Sequence, residues 1–161
     1  MSTRRTAVST FLALVFTLAM AAPALRADDM DQMTRLSFDQ SVQLPGNVVL
    51  QPGSYWFKVD KSDISRKTVQ VFDANWSPIT VLVTESTLRP QPTTSKTVLK
   101  FAEGGANQPY TLVDWFYADN PFGHEFEYSQ SIQSQIHEEK MITVVPKTDS
   151  NGTLLASLPQ H

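Results

Sequence analysis

The chain has 161 residues, 13 Lys and Arg against 16 Asp and Glu, a net charge of −3 and no cysteine. Without cysteine it has no disulfide framework, thiol nucleophile, Cys-based zinc or iron–sulfur site, or lipid-modified cysteine. The acidic balance, with no basic run longer than Arg66-Lys67, argues against nucleic acid or an anionic membrane surface as a partner, since both are bound by clustered Lys and Arg.

The first segment, 1–27, predicts export. A pair of arginines precedes an apolar run over 7–20, and small-residue cleavage sites follow at Ala24 and Ala27. The apolar run is shorter than the roughly 20 residues of a spanning helix, so we expect no membrane span once the segment is removed. The alternatives are a single membrane anchor and a twin-arginine signal, which the arginine pair faintly resembles.

Removal of 1–27 leaves 134 residues, enough for one domain with one hydrophobic core. The removed segment carries three arginines, so the remaining chain has 10 basic and 16 acidic residues and a net charge of −6. An exported chain without disulfides depends on its core for stability, which favours a bacterial envelope over a eukaryotic secretory route. We therefore expect a periplasmic or secreted protein.

After an acidic lead-in at 28–33, apolar and polar residues alternate with period two, the pattern of strands with one buried face. Turn residues such as Pro45-Gly46 and Pro52-Gly53 separate the strands. The run from Ile79 to Val83 is β-branched and is expected to be a buried strand. The strands are predicted at 36–44, 48–50, 55–59, 68–72, 79–83, 97–101, 110–117, 124–128 and 141–145.

The C-terminal part departs from this pattern. Two isoleucines spaced four residues apart among polar residues predict a short surface helix at about 129–140. Residues 147–161 are predicted to form a polar tail, in which Asn151-Gly152 could close a small hairpin. For 28–146 the spacing predicts an all-β domain: an antiparallel β-sandwich or small barrel of about eight strands, rather than alternating β and α units.

The densest polar and aromatic stretch is 114–128. Aromatic faces beside a few polar groups are typical of sites that hold carbohydrates and other amphipathic ligands. The alternative is that Trp115 and Tyr117 share one strand face and that the following turn merely joins two core strands. The candidate ligand-binding residues are Trp115, Tyr117, Asp119, His124, Glu125 and Glu127.

We assign no catalytic residue, no metal and no cofactor. His124 and Glu125 are adjacent on a strand and so point to opposite faces, which disfavours one shared metal ion. Glu125 and Glu127 share a face and are better placed for acid–base chemistry, at a spacing that loosely fits a glycosidase pair. His137-Glu138-Glu139 lacks the second histidine of the zinc-protease motif, and the sequence contains no nucleophile elbow and no phosphate-binding loop.

Trp56 is out of phase with its apolar neighbours. Tyr55 and Phe57 fall on one strand face, so Trp56 falls on the other. Either a loop covers that second face, or Trp56 belongs to a binding surface. We expect the first.

Four sequence blocks occur together and in order: Leu50 to Lys58, Val69 to Phe72, Ile79 to Val83, and Trp115 to Tyr128. In this the chain resembles, over 36–128, a family of small exported bacterial proteins frequent in acidobacteria-type genomes. It departs from the family's pattern after Tyr128, where Ser129-Gln130 stands in place of Pro-Lys. The resemblance implies an exported β-rich domain and no particular activity.

We expect an exported, non-enzymatic binding or structural module of the bacterial envelope, with an envelope or extracellular ligand or protein as its partner. The alternative is a carbohydrate-active hydrolase that uses the carboxylates of Asp119, Glu125 and Glu127. A metal-dependent module is a third alternative.

Overall fold

The computed structural model describes residues 32–60, 62, 67–89 and 95–160. The predicted export segment 1–27 lies outside these residues. The described chain is mostly β, with one α-helix, α1 (Gln130–Glu138). Its strands are β1 (Met33–Phe38), β2 (Val42–Leu44), β3 (Val48–Leu50), β4 (Gly53–Val59), β5 (Thr68–Asp73), β6 (Pro78–Leu88), β7 (Val98–Glu103), β8 (Tyr110–Phe116), β9 (Phe122–Phe126), β10 (Lys140–Val144), β11 (Lys147–Thr148) and β12 (Leu154–Ala156).

These twelve strand segments of the described residues differ in length. Eight of them have five or more residues, and each of the eight overlaps a region where apolar and polar residues alternate or β-branched residues cluster. The other four, β2, β3, β11 and β12, have only two or three residues. β2 lies within the predicted strand 36–44 and β3 coincides with the predicted strand 48–50, whereas β11 and β12 lie in the segment predicted as a polar tail.

The strands form one continuous, open sheet in the order β10-β7-β8-β9-β6-β5-β4-β1-β12-β11, with β2 paired to β3 and β8. β6 joins the two halves of this order. Its first part, from Pro78 to Val83, pairs with β5, and its second part, from Thr84 to Leu88, pairs with β9. The inward side chains of both halves meet in one hydrophobic cluster that includes Phe57, Val71 and Trp115.

The sheet is mixed, whereas the strand spacing in the sequence predicts an antiparallel arrangement. Two pairs are parallel: β1 with β12, where Leu36 lies opposite Leu154, and β2 with β8, where Val42 lies opposite Tyr110. A parallel pair needs a long crossover rather than a tight turn. Both pairs join segments far apart in sequence, and turn residues reveal only the pairing of neighbouring strands.

The C-terminal residues belong to the sheet. The small hairpin predicted around Asn151-Gly152 is present and joins β11 to β12. β12 pairs with β1, and the side chains of Ala156 and Leu158 are buried in the core. Much of the segment 147–161, predicted as a polar tail, is therefore part of the β fold.

The predicted strand at 79–83 is present, but its predicted burial is wrong. Ile79, Val81 and Val83 face outward and are exposed, with Val81 at 62%, and only Leu82 in this run is buried. β-branched side chains favour the extended backbone on either face of a sheet, so their clustering predicts a strand and not its burial.

The predicted helix at about 129–140 is confirmed as α1. Ile136 packs against Ala102 of β7 and Val113 of β8, so the helix covers the outer face of the sheet at that point. Ser129 occupies the N-cap position, but its hydroxyl lies 3.2 Å from that of Ser131 and caps no backbone N–H. Among the described residues, no helix has the length and apolar character needed to cross a membrane.

Candidate functional site

Three of the six candidate residues meet on the inner face of β8 and β9. The Trp115 side chain is fully buried, at 0% exposure, in the hydrophobic core. Its ring lies 5.9 Å from that of Tyr117 and 5.4 Å from that of His124, measured between centroids. Tyr117 is half-buried and donates a hydrogen bond from its hydroxyl to the carbonyl of Met33 at 3.2 Å. Trp115 thus packs in the core and presents no face to a ligand.

His124 is held neutral by burial. The Thr84 hydroxyl lies 3.1 Å from its Nδ1, and the side-chain oxygen of Gln32 lies 3.1 Å from its Nε2. Burial lowers the pKa of the ring from 6.5 to about 4, because the charged form would lose its hydration. Each ring nitrogen thus lies within hydrogen-bond distance of one polar side chain of the fold, and the neutral ring can donate from only one of the two.

A cavity of about 250 Å³ opens beside His124. Its lining includes Lys67, Ser86, Asn120 and Phe122. Thr84, at the floor, is fully buried and donates to the carbonyl of Lys67 at 2.9 Å.

The three carboxylates of the predicted site are separated. Asp119 lies in the β8–β9 turn, exposed, with a positive φ of 58°. Glu125 on β9 and Glu127 just after its end are in phase with each other and out of phase with His124, so they lie on the outer side. They stand side by side along one strand rather than across a cleft, as a glycosidase pair does.

Several acidic side chains lie close together on the outer face of β9. Glu125 lies opposite Asp114 on β8 and Glu85 on β6, and Glu85 and Glu127 also line a surface cavity of about 330 Å³. A hydrogen bond from Lys67 lowers the pKa of the Glu85 carboxyl, and Lys100 pairs with Asp114 at 2.8 Å. Basic groups thus flank the row at both ends. Across the described ranges, no three His, Cys, Asp or Glu side chains are grouped so as to hold a metal ion.

A different set of residues forms a partly exposed aromatic surface on the outer face of β1, β4 and β5. Arg35 lies directly opposite Trp56, and Trp56 directly opposite Phe72, so the three side chains stand in one row. Trp76, from the β5–β6 turn, stacks on Trp56 with ring centroids 4.8 Å apart and planes 18° apart. We call Arg35, Trp56, Phe72 and Trp76 the aromatic cluster.

The contacts of the cluster are continuous. The Phe72 ring lies 5.5 Å from that of Trp76, and the Arg35 guanidinium lies 5.6 Å from the centre of the Trp56 ring, in cation–π range. The loop residue Trp76 covers part of Trp56, as expected from the sequence, but Trp76 itself remains 47% exposed. The cover therefore presents a new aromatic face to the solvent.

Trp76 is held in this position by its turn. Its φ of 66° is in the left-handed region, which costs a residue other than Gly about 1–3 kcal/mol. The carboxylate of Asp73 accepts hydrogen bonds from the backbone N–H groups of Asn75 and Ser77, both at 2.8 Å, and the N–H of Trp76 bonds to the Asp73 carbonyl at 3.1 Å. These bonds fix the turn, and strain of this kind is concentrated at functional sites.

Two cations on this face form no ion pair within the described part of the chain. Lys58 lies two residues from Trp56 on the same strand face, diagonal to Arg35. Neither side chain forms an ion pair or a hydrogen bond with any residue that the structure describes, and the Nε atom of Arg35 is buried without a partner. This face therefore carries two basic side chains, and the carboxylate of Asp60, which accepts a hydrogen bond from Gln70 opposite Lys58, lies beside them.

Sequence reasoning singled out Trp56 and missed the rest of the cluster. The phase of Trp56 indicated an outward side chain, which the structure confirms. Trp76 gave one signal that was not used: a large aromatic residue in the turn segment 73–78, where polar residues are usual. Arg35 gave none, because its position opposite Trp56 depends on the register of β1 against β4.

Comparison of the chain with protein-family models, with curated proteins and with solved structures finds no match.

Proposed function

We propose that the protein is an exported, non-enzymatic binding module of the bacterial envelope, and that its ligand surface is the aromatic cluster. The observation that supports this most strongly is the stacked pair Trp56 and Trp76, held by a strained and hydrogen-bonded turn on an exposed sheet face. Exposed aromatic rings with neighbouring charge are a common form of binding surface. The acidic, cysteine-free composition and the predicted export segment favour the envelope as its location.

The same proposal assigns the segment 114–128 a structural role. Trp115 packs in the core, both nitrogens of His124 have partners, and Glu125 and Glu127 lie on the opposite face of β9. A hydrolase needs its acid and its base to converge on one substrate atom. This separation favours a binding module over the hydrolase alternative.

The proposal also includes a two-layered sandwich as the form of the fold. β6 exchanges one partner strand for another halfway along its length, and side chains from both halves fill one core. A strand that passes from one layer to the other would produce this pairing. The end strands β10 and β11 do not pair with each other in the described sheet, which favours a sandwich over a barrel.

Binding to the envelope tests the function. The purified chain is mixed with the envelope fraction of its host bacterium, and the amount that sediments with the fraction is measured. We expect Trp76→Ala to weaken sedimentation roughly tenfold, because it removes the exposed ring. Phe122→Ala is the matched control, since Phe122 is exposed and aromatic but lies on β9, outside the cluster.

Glu125→Gln combined with Glu127→Gln separates the two functions. A binding module keeps its binding when both carboxylates are neutralised, whereas a hydrolase that uses them loses turnover by orders of magnitude while it stays folded. The proposal fails if Trp76→Ala binds the envelope fraction as the natural chain does.

A further inference from the structure

We propose that the aromatic cluster, together with Lys58, binds an acidic carbohydrate chain. This rests on the proposed function and names the class of its ligand. Sugar units would stack on the exposed face of Trp76, and the carboxylate, phosphate or sulfate groups of the chain would pair with Arg35 and Lys58.

The rings provide the sugar-binding part. A pyranose has one face of C–H groups that packs on an aromatic ring and an edge of hydroxyls that form hydrogen bonds. Trp76 presents such a ring, backed by Trp56 on its other side at 4.8 Å. The turn already holds Trp76 in place, so binding would lose little conformational entropy there.

The two basic side chains would select an acidic carbohydrate over a neutral one. Arg35 and Lys58 are diagonal neighbours on one face, and neither forms an ion pair or a hydrogen bond with a described residue. The chain without its export segment has a net charge of −6, which repels a polyanion at long range. The attraction for an acidic ligand therefore comes only from these two cations, which are locally complementary to a ligand that carries both sugar rings and negative charge.

Polar groups beside the cluster can bind hydroxyls. Ser37 and Ser54 lie opposite each other in the next row of the same face, and Gln70 lies opposite Lys58 on β5. Gln70 donates to Asp60 through its amide nitrogen at 3.1 Å, which leaves its carbonyl oxygen as an acceptor. The rings are therefore bordered by donors and acceptors, as a sugar site requires.

A protein partner would use a neighbouring part of the same face. Val81 and Val83 on β6 are exposed and aliphatic, at 62% and 52%. They lie on β6, next to β5, where Val81 is opposite Gln70 and Val83 is opposite Thr68. Small aliphatic side chains offer a sugar chain neither a flat ring nor a hydrogen bond, so they would add little to its affinity. Val81→Ser thus separates the two kinds of partner: it leaves carbohydrate binding unchanged and weakens an apolar protein contact.

The experiment measures binding of the purified chain by isothermal titration calorimetry. The acidic probes are polygalacturonate, alginate and hyaluronate, and the neutral control is dextran. We expect saturable binding to at least one acidic probe and at least roughly tenfold weaker binding to dextran. Trp76→Ala should weaken the affinity for the acidic probe roughly tenfold. Arg35→Gln combined with Lys58→Gln should weaken it by a similar factor and should also make the affinity less dependent on salt concentration.

Two controls guard against general effects. Lys140→Gln removes an exposed positive charge on β10, at the opposite end of the strand order from β1, and should leave the affinity unchanged. Circular dichroism of each variant verifies that it is folded. The carbohydrate proposal fails if no acidic probe binds, if dextran binds equally well, or if Trp76→Ala leaves the affinity for the acidic probe unchanged.

The envelope fraction distinguishes this failure from a failure of the proposed function. The envelope fraction is treated with periodate, which oxidises sugars, or with protease. If binding survives periodate, is lost after protease and needs Val81, the carbohydrate proposal is overturned, while the proposal of a binding module stands. Binding to the envelope that is independent of Trp76 would overturn both.

Discussion

Environment, more than residue type, decides the role of single side chains in this protein. Trp115 and Trp76 are the same residue, yet one is buried in the core and the other is exposed over a second indole. His124 is a residue type common in active sites, but here it packs against Trp115 and is held neutral. Its burial has a measurable consequence for stability.

We predict that His124 makes the protein less stable in mild acid. The unfolded chain binds a proton at its ordinary pKa of about 6.5, whereas the folded ring stays neutral until about pH 4. The free energy of unfolding therefore falls as the pH is lowered through this window, by up to about 3 kcal/mol. Urea unfolding at pH 7 and pH 4.5 measures this fall.

His124→Gln should reduce the fall between the two pH values, because Gln does not titrate and can still bond to Thr84 and Gln32. Comparison of the two chains cancels the contribution of the carboxylates, which also titrate in this range. His137→Gln is the matched control, since His137 is exposed on α1 and lies outside the buried cluster. Equal pH dependence in the natural chain and in His124→Gln would contradict the prediction.

At the scale of elements, short segments far apart in sequence complete the sheet. β12 has three residues, pairs in parallel with β1 and is followed by Leu158, whose side chain is 4% exposed in the core. The N–H of Leu158 donates to the side chain of Asp39 at 2.9 Å, which ties the C-terminal end of the fold to the turn after β1. The C-terminal segment should therefore contribute to global stability.

Leu158→Ala tests this contribution. Truncation of a buried Leu removes its transfer free energy and leaves a cavity, so we expect a loss of about 2–4 kcal/mol in the free energy of unfolding. Leu155→Ala, at a 40% exposed position on β12, should cost less than about 1 kcal/mol. If denaturant titration gives similar losses for the two variants, the C-terminal segment does not pack as described.

At the scale of the whole molecule, the two halves of the strand order share β6 and one core. Thr84, where β6 changes partner from β5 to β9, is fully buried. Because neither half can bury its inner face without the other, we expect them to unfold together.

A single cooperative transition is therefore predicted. Tryptophan fluorescence, which reports on Trp56, Trp76 and Trp115, and far-ultraviolet circular dichroism should give the same midpoint and slope in urea. Two separate midpoints would show that the halves are independent units.

The sequence alone determined the local part of this structure. Period-two alternation, together with runs of β-branched and aromatic residues, predicted strands that overlap the eight longer ones. Asn151-Gly152 predicted its hairpin, and the polar segment after Tyr128 predicted α1. These succeed because strand, turn and helix preferences depend on residues within a few positions of one another. The phase of Trp56 likewise indicated an outward side chain.

Tertiary structure decided everything that depends on pairing between distant segments. The parallel pairs, the exposure of Val81 and the place of Leu158 in the core follow from which strands meet and which face is covered. The candidate site changed for the same reason: the dense segment 114–128 divides between two faces, because neighbouring strand residues point in opposite directions. The aromatic cluster assembles from three strands and a turn, since only the register of β1, β4 and β5 brings Arg35, Trp56 and Phe72 into one row.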